Sequence, residues 1–304
     1  MMRRLSGNCF DKEVFTMEKD ISIKRIGKKR SICIEEKNGV PFLTFPSFSD
    51  IPWILHGFST RLGGVSEGEL YSMNLSFTRG DEPERVRENY RRIAGAVGFD
   101  VNDMVFSYQT HTNHVRVVTE ADRGKGYGRE RDYKDVDGMV TNVPGLVLVT
   151  FYADCVPLGF VDPVHRAIGL SHSGWRGTVS DIAGVTVETM KREYGTDPAD
   201  VLAIIGPSIC RTCYEVSEDV VACIRENYPE KMWPLLFDTK ENGKYQLDLW
   251  EVCRQNMIRA GILPEHISVT DLCTCCNPDF LFSHRASGGR RGNLAAFLEI
   301  RRKV

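Results

Sequence analysis

Apolar and polar positions along the chain follow three rhythms, and each predicts a different kind of element. Residues 31–45 alternate apolar and polar side chains around Asn38-Gly39, a pair that suits the positive φ angles of a two-residue turn, which predicts a β-hairpin. Over residues 82–97, Val86, Tyr90, Ile93, Ala94 and Val97 recur at spacings of three and four behind Pro83, which predicts an amphipathic helix with Arg85, Arg87, Arg91 and Arg92 on its solvated side. Residues 146–152 and 167–170 are continuous apolar runs, 179–194 have helical period, and 201–205 are apolar again. Strand, strand, helix, strand in that order predicts an α/β sheet with at least one crossover. Residues 115–119 alternate as a short strand, further helices are expected over 218–227 and 249–260, and a strand is expected near 267–272. Residues 1–30 show neither period and read as a frayed, loosely ordered leader. With no internal repeat or long linker, residues 31–304 read as one α/β domain, a mixed β-sheet flanked by helices.

Composition narrows the partners. A chain of 304 residues that is 42% hydrophobic can bury its own core. Lys and Arg (39) nearly balance Asp and Glu (41), and no basic stripe follows the aromatic residues, which argues against a nucleic-acid partner. No apolar run has the length of a signal peptide core or a membrane span, so a cytoplasmic protein without membrane attachment is expected. The ten cysteines are read as thiols, some metal-bound or catalytic, because disulfide frameworks belong mainly to short secreted chains.

Three segments concentrate the chemistry. Cys155, in Ala153-Asp154-Cys155-Val156-Pro157, follows the apolar run 146–152, at the strand end where α/β folds gather ligands. His172, in Ser171-His172-Ser173-Gly174-Trp175-Arg176-Gly177, ends the run from 167. If the two strands are neighbours, Cys155 and His172 share one rim. His111 and His114 precede the strand from Val115, and spacing does not choose between them as a third ligand. One thiolate and two imidazoles can hold zinc with the fourth position open, the pattern of a catalytic rather than a structural site. The alternative is bland: a lone Cys is usually a small hydrophobe, and a lone His is often merely hydrogen-bonded.

Two other segments carry weaker signals. Cys210-Arg211-Thr212-Cys213 with Cys273-Thr274-Cys275-Cys276 has zinc-like spacing on paper. Its second half runs as Cys-Thr-Cys-Cys into Asn277-Pro278, without a free loop around it, and this weighs against a structural zinc. Arg61, ahead of Gly63-Gly64, can aim a cation at a small anion or can be an ordinary surface arginine.

The ordered pieces Ser59-Thr60-Arg61-Leu62-Gly63-Gly64-Val65-Ser66, Asn74-Leu75, Gln109-Thr110-His111, Asp137-Gly138-Met139-Val140-Thr141, Ala153 to Pro157, His172 to Gly177, Gly206-Pro207-Ser208-Ile209, Cys213-Tyr214-Glu215-Val216, Cys273-Thr274 and Phe282-Ser283-His284-Arg285 resemble the purine nucleoside phosphorylase/laccase-domain family, also called YfiH-like. The resemblance runs from His56 to the end, about four fifths of the chain. It implies a single α/β domain with a mixed sheet, His111, Cys155 and His172 as zinc ligands, and Arg61 and Asn74 lining the same site. Thr112 stands where the family often has Gly, and Ser173 where it usually has Ala; both departures bear on substrate fit more than on metal binding.

The resemblance also implies purine nucleoside phosphorolysis, of adenosine, inosine or methylthioadenosine, or adenosine deamination, with nucleoside and phosphate as partners. Arg61, with Arg285 as a second cation, is expected to offset the phosphate charge. The His-x-Glu signature of zinc deaminases is absent, which leaves Asp154 as a candidate proton shuttle or as a residue that fixes a His ligand. Copper-dependent phenol oxidation ranks last, since the chain has seven histidines and no His-x-His pair. Two further readings are a metal-free Cys155 nucleophile activated by His172, as in a hydrolase or amidase acting on a peptidoglycan precursor, and a binding protein whose metal is purely structural.

Overall fold

The strand Val147–Tyr152 is buried on both faces, which explains its continuous apolar run. A computed structural model describes residues 21–302. In it Leu148 and Tyr152 join a core between two stacked sheets, while Val147 and Val149 join a second core beneath the helix Pro83–Val97. A third core fills the opposite side, where Leu158, Phe160 and Ala167 meet the helices Ile182–Tyr194 and Leu249–Arg259. The layers therefore run helix, sheet, sheet, helix.

The first sheet has the order Cys33–Lys37, Val40–Thr44, Ile54–Ser59, Leu294–Ile300, Val147–Tyr152 and Met104–Phe106, with only the last pair parallel. The second runs Ile267–Val269, Leu202–Ile205, Val156–Asp162, Ala167–Ser173, Gly138–Thr141 and Val115–Val117, parallel at its two outer pairs and antiparallel between. A small third sheet joins Glu215–Val216, Tyr245–Leu247 and Phe237–Thr239. The expected α/β class holds, but its mixed sheet is divided in two. The apolar runs that suggested neighbouring strands, Val147–Tyr152 and Ala167–Ser173, lie in different sheets.

Local chemistry explains most element ends. Asn38 and Gly39 both have positive φ, at 57° and 73°, and Lys37 pairs with Val40, so the first hairpin closes on the expected two-residue turn. The helix Pro83–Val97 starts with Pro83 in its first turn and stops at Gly98, whose φ of 106° a side chain would resist. The single helix expected over 179–194 is instead two, Trp175–Val179 and Ile182–Tyr194, because Asp181 turns left-handed and caps the second by accepting from Gly184 N–H.

Residues 21–30 depart from the frayed-leader reading, whose first twenty residues lie outside the described range. Ile23 is buried, Arg25 pairs with Asp271 at 2.7 Å, and Lys24 N–H donates to Asn277. These contacts reach the far end of the chain, so no local periodicity announces them. No helix among the described residues is long and apolar enough to cross a membrane.

Candidate metal centre

The hairpin of Val156–Asp162 with Ala167–Ser173 places two of the three expected ligands. Its register sets Val156 opposite Ser173 and Pro157 opposite His172, so Cys155, just before the first strand, lies beside the end of the second. The shared rim is real but arises within this pair. The loop ahead of Val115–Val117 brings in His111, held at a positive φ of 67°. Nitrogen and sulfur atoms of His111, Cys155 and His172 all lie within 4.8 Å of one another, with Cys155 Sγ 3.9 Å from His111 Nε2. His114 is excluded from this group, and its Nδ1 sits 2.9 Å from Asp135 O.

Asp137 organises the ligands from behind, and no reading of the sequence gave it that role. It is fully buried, and its carboxylate accepts from the amides of Thr110, His111 and Thr112 and from the Thr112 hydroxyl, while Oδ1 lies 2.8 Å from His172 Nδ1. A carboxylate on one ring nitrogen leaves the other free for a metal and makes it more basic. The available signal was an Asp immediately before the strand Gly138–Thr141, which pairs with the His172 strand. Gly174 is required for space. A Cβ there would meet His111 Cδ2 at 2.6 Å and Cys155 Sγ at 3.3 Å, although its backbone angles suit any residue.

The electrostatics of the three groups favour a thiolate facing a charged imidazole. Burial resists ionisation of the Cys155 thiol, but the charge of His172 and the hydrogen bond to His111 outweigh it and bring the thiol down from 9.0 to about 6. Burial likewise opposes a charge on His172, yet Cys155 and Asp137 carry it up from 6.5 to about 9. The thiolate is thus favoured, and the positive charge it pairs with is one that a metal ion can replace. Thiolate and imidazole donors at these separations fit a zinc-type ion with protein ligands at about 2.0–2.3 Å.

The group opens on a cleft of about 420 Å³ lined by Phe77, Tyr108 and Phe151, by the cations Arg79, Arg131 and Arg291, and by the ligands themselves. Arg79 and Arg291 form no ion pair with a carboxylate among the described residues, and Arg291 Nε is buried without a hydrogen-bond partner. Burial, then repulsion from Arg79, pulls Arg291 down to about 10.

Other expected site residues do not line this cleft. The Arg61 guanidinium is committed to the carbonyls of Tyr71 and Pro278, and that of Arg285 to the carbonyls of Cys213 and Glu215. Asn74 is buried behind the wall, donating to Ser76 O and Asp81 while its own oxygen accepts from the amide of Asn293. Asp154 accepts from the Thr274 hydroxyl and the Arg285 amide, each at 2.6 Å. It touches neither histidine ligand; it holds the turn that presents Cys155.

Stacked mixed sheets carrying a Cys/His/His group at the strand ends define an α/β protein with a group that could hold a metal ion. The chain belongs to the family described as multi-copper polyphenol oxidoreductase laccase, whose pattern matches residues 55–301. It is 37% identical over 256 residues to the purine nucleoside phosphorylase YlmD of Bacillus subtilis (strain 168), covering 82% of this chain and 89% of that protein. It is 34% identical over 251 residues to adenosine deaminase RL5 of an unknown prokaryotic organism, covering 82% and 94%. The crystal structure of the hypothetical protein YfiH of Bacillus licheniformis superposes with a TM-score of 0.82 at 36% identity, over 88% of this chain and 99% of that one.

Proposed function

We propose that the chain is a purine nucleoside phosphorylase working at a zinc ion held by His111, Cys155 and His172. The observation that carries this reading is the position of that donor group in a cleft whose walls are aromatic and whose cations have no carboxylate partners. Phe77, Tyr108 and Phe151 offer flat apolar faces to a purine. Arg79 and Arg291 repel each other, and a phosphate between them would relieve that repulsion. This assigns the phosphate to a different pair of arginines from Arg61 and Arg285.

Zinc bound there supplies Lewis acidity at the reacting oxygen. The rest is done by the chain. Asp137 fixes the His172 ring, Gly174 lets two ligands approach, and Asp154 acts as a positioning residue for Cys155 rather than as a proton shuttle. Deamination of adenosine at the same centre is a second reading, favoured by the likeness to RL5.

The test is chromatography of adenosine and inosine incubated with zinc-loaded protein, with and without phosphate, beside Cys155→Ala. Phosphate-dependent release of free base, lost in the variant, supports phosphorolysis, and phosphate-independent inosine formation supports deamination. No turnover of either by folded, metal-bound protein would overturn both.

A further inference from the structure

The fold gathers a second group of thiols that the proposed reaction does not use. Cys210, Cys213, Cys273 and Cys276 place all four sulfur atoms within 4.8 Å of one another, and they come from loops that are distant in sequence. Cys213 and Cys276 are 63 residues apart, yet their sulfurs lie 3.4 Å from each other, and Cys210 Sγ lies 4.0 Å from Cys276 Sγ. A tetrahedron of sulfurs about 2.3 Å from a zinc ion has edges of about 3.8 Å, close to these separations. A disulfide needs about 2.05 Å, and these four cysteines are free thiols.

The chain order supports the same conclusion. Cys273-Thr274-Cys275-Cys276 is a Cys-x-x-Cys unit in which Cys275 is a bystander, so the objection drawn from the sequence does not hold: two Cys-x-x-Cys turns face each other. They follow the parallel strands Leu202–Ile205 and Ile267–Val269, which end side by side. Hydrogen-bond donors already point at sulfur as they do at thiolates. The amides of Cys210 and Cys276 donate to Cys273 Sγ at 3.3 and 3.4 Å, and the Thr212 hydroxyl lies 3.2 Å from Cys210 Sγ.

We propose that Cys210, Cys213, Cys273 and Cys276 bind one zinc ion in a closed, four-thiolate structural site, separate from the His111–Cys155–His172 centre. Each thiol gives its proton to solvent as the ion binds, leaving a site of net charge −2 that the amide and hydroxyl donors stabilise. With four protein ligands it has no open position for chemistry. Its role is mechanical. Ile209, next to Cys210, donates its amide to Asp154 O at 3.0 Å, and Thr274, next to Cys273, donates its hydroxyl to Asp154 Oδ1 at 2.6 Å. Both clamped loops therefore hold Asp154, which presents Cys155 and sits at a positive φ of 87°.

The experiment is elemental analysis of the full chain, purified under reducing conditions from zinc-supplied cells, beside Cys155→Ala, Cys213→Ser and Cys276→Ser. Two zinc equivalents are expected in the unaltered chain and one in each variant, with the ion of Cys155→Ala released only by mercurial attack on thiols. Should the serine variants fail to fold, cobalt replaces zinc in Cys155→Ala, where intense thiolate-to-cobalt charge-transfer absorption is expected. One equivalent in the unaltered chain and none in Cys155→Ala would overturn the proposal, as would a cobalt spectrum that vanishes in that variant, or disulfides among the four cysteines in freshly purified protein. Because the readout is metal content, it stays informative whether or not nucleosides prove to be substrates.

Discussion

His172 Nδ1 and Asp137 Oδ1 lie 2.8 Å apart, both buried, and through Asp137 the strand of His172 is tied to the loop that carries His111. The same carboxylate gathers three successive amides from residues 110–112, so one buried charge sets both histidines. Asp137→Asn places an amide group where five donors converge. Metal affinity is expected to fall about 10- to 100-fold, a typical cost of losing a partner behind a ligand. Competition with a chromophoric chelator measures this, and an unchanged affinity would show that Asp137 serves folding alone.

Gly174→Ala tests the space between ligands. The added methyl would sit 2.6 Å from His111 Cδ2, so the ring must move, while the local backbone accepts alanine without strain. We expect a loss of bound metal at the His111–Cys155–His172 centre with little change in the melting temperature of the metal-stripped protein. A variant that keeps its full metal content would mean that His111 can shift freely.

Arg291 and Arg61 separate a cleft cation from a structural one. Arg291→Met should raise the KM for phosphate roughly tenfold or more, the scale of a lost charge-assisted hydrogen bond, with a smaller effect on the KM for nucleoside. Arg61→Met should lower the melting temperature, because it strands the carbonyls of Tyr71 and Pro278, and leave the ratio of the two constants unchanged. A phosphate-selective defect in Arg61→Met would restore Arg61 to the binding site.

His56 makes a pH-dependent contribution away from the site. Burial lowers its pKa from 6.5 to about 4, and its Nε2 accepts a hydrogen bond from Phe45 N–H at 2.8 Å, which only the unprotonated nitrogen can do. The unfolded chain takes up a proton near 6.5 while the folded one stays neutral, so stability is complete above about pH 6.5 and declines as the pH falls toward 4. At about 1.36 kcal/mol per pH unit, the full interval is on the order of 3 kcal/mol. Urea midpoints of the wild type and His56→Gln between pH 7 and 4 should converge, and parallel curves would assign the acid sensitivity elsewhere.

Elements whose signal is local were readable before any coordinates. The Asn38-Gly39 turn, the helix Pro83–Val97 and the helix Glu218–Asn227 follow from neighbouring residues alone. The strand Leu294–Ile300 was not found, since Leu-Ala-Ala-Phe-Leu-Glu-Ile suits a helix equally well. It becomes a strand because Ile54–Ser59 and Val147–Tyr152 flank it on both edges. Val156–Asp162 was hidden by Pro157 and Gly159, which discourage a strand reading. Without it the rim shared by Cys155 and His172 had to be inferred from the wrong pair of strands.

By itself the sequence determined which donor atoms exist, a thiol and two imidazoles in segments that end near strands, and it determined the α/β class through its two periodicities. Only the tertiary structure decided which histidine joins Cys155 and His172. It also decided that Asp137 stands behind them, that Arg79 and Arg291 rather than Arg61 and Arg285 face the cleft, and that four distant cysteines meet. The physical reason is range: hydrophobic period and turn chemistry act over a few residues, whereas a metal centre depends on angstrom-scale approach between side chains that only strand pairing across the whole chain can set.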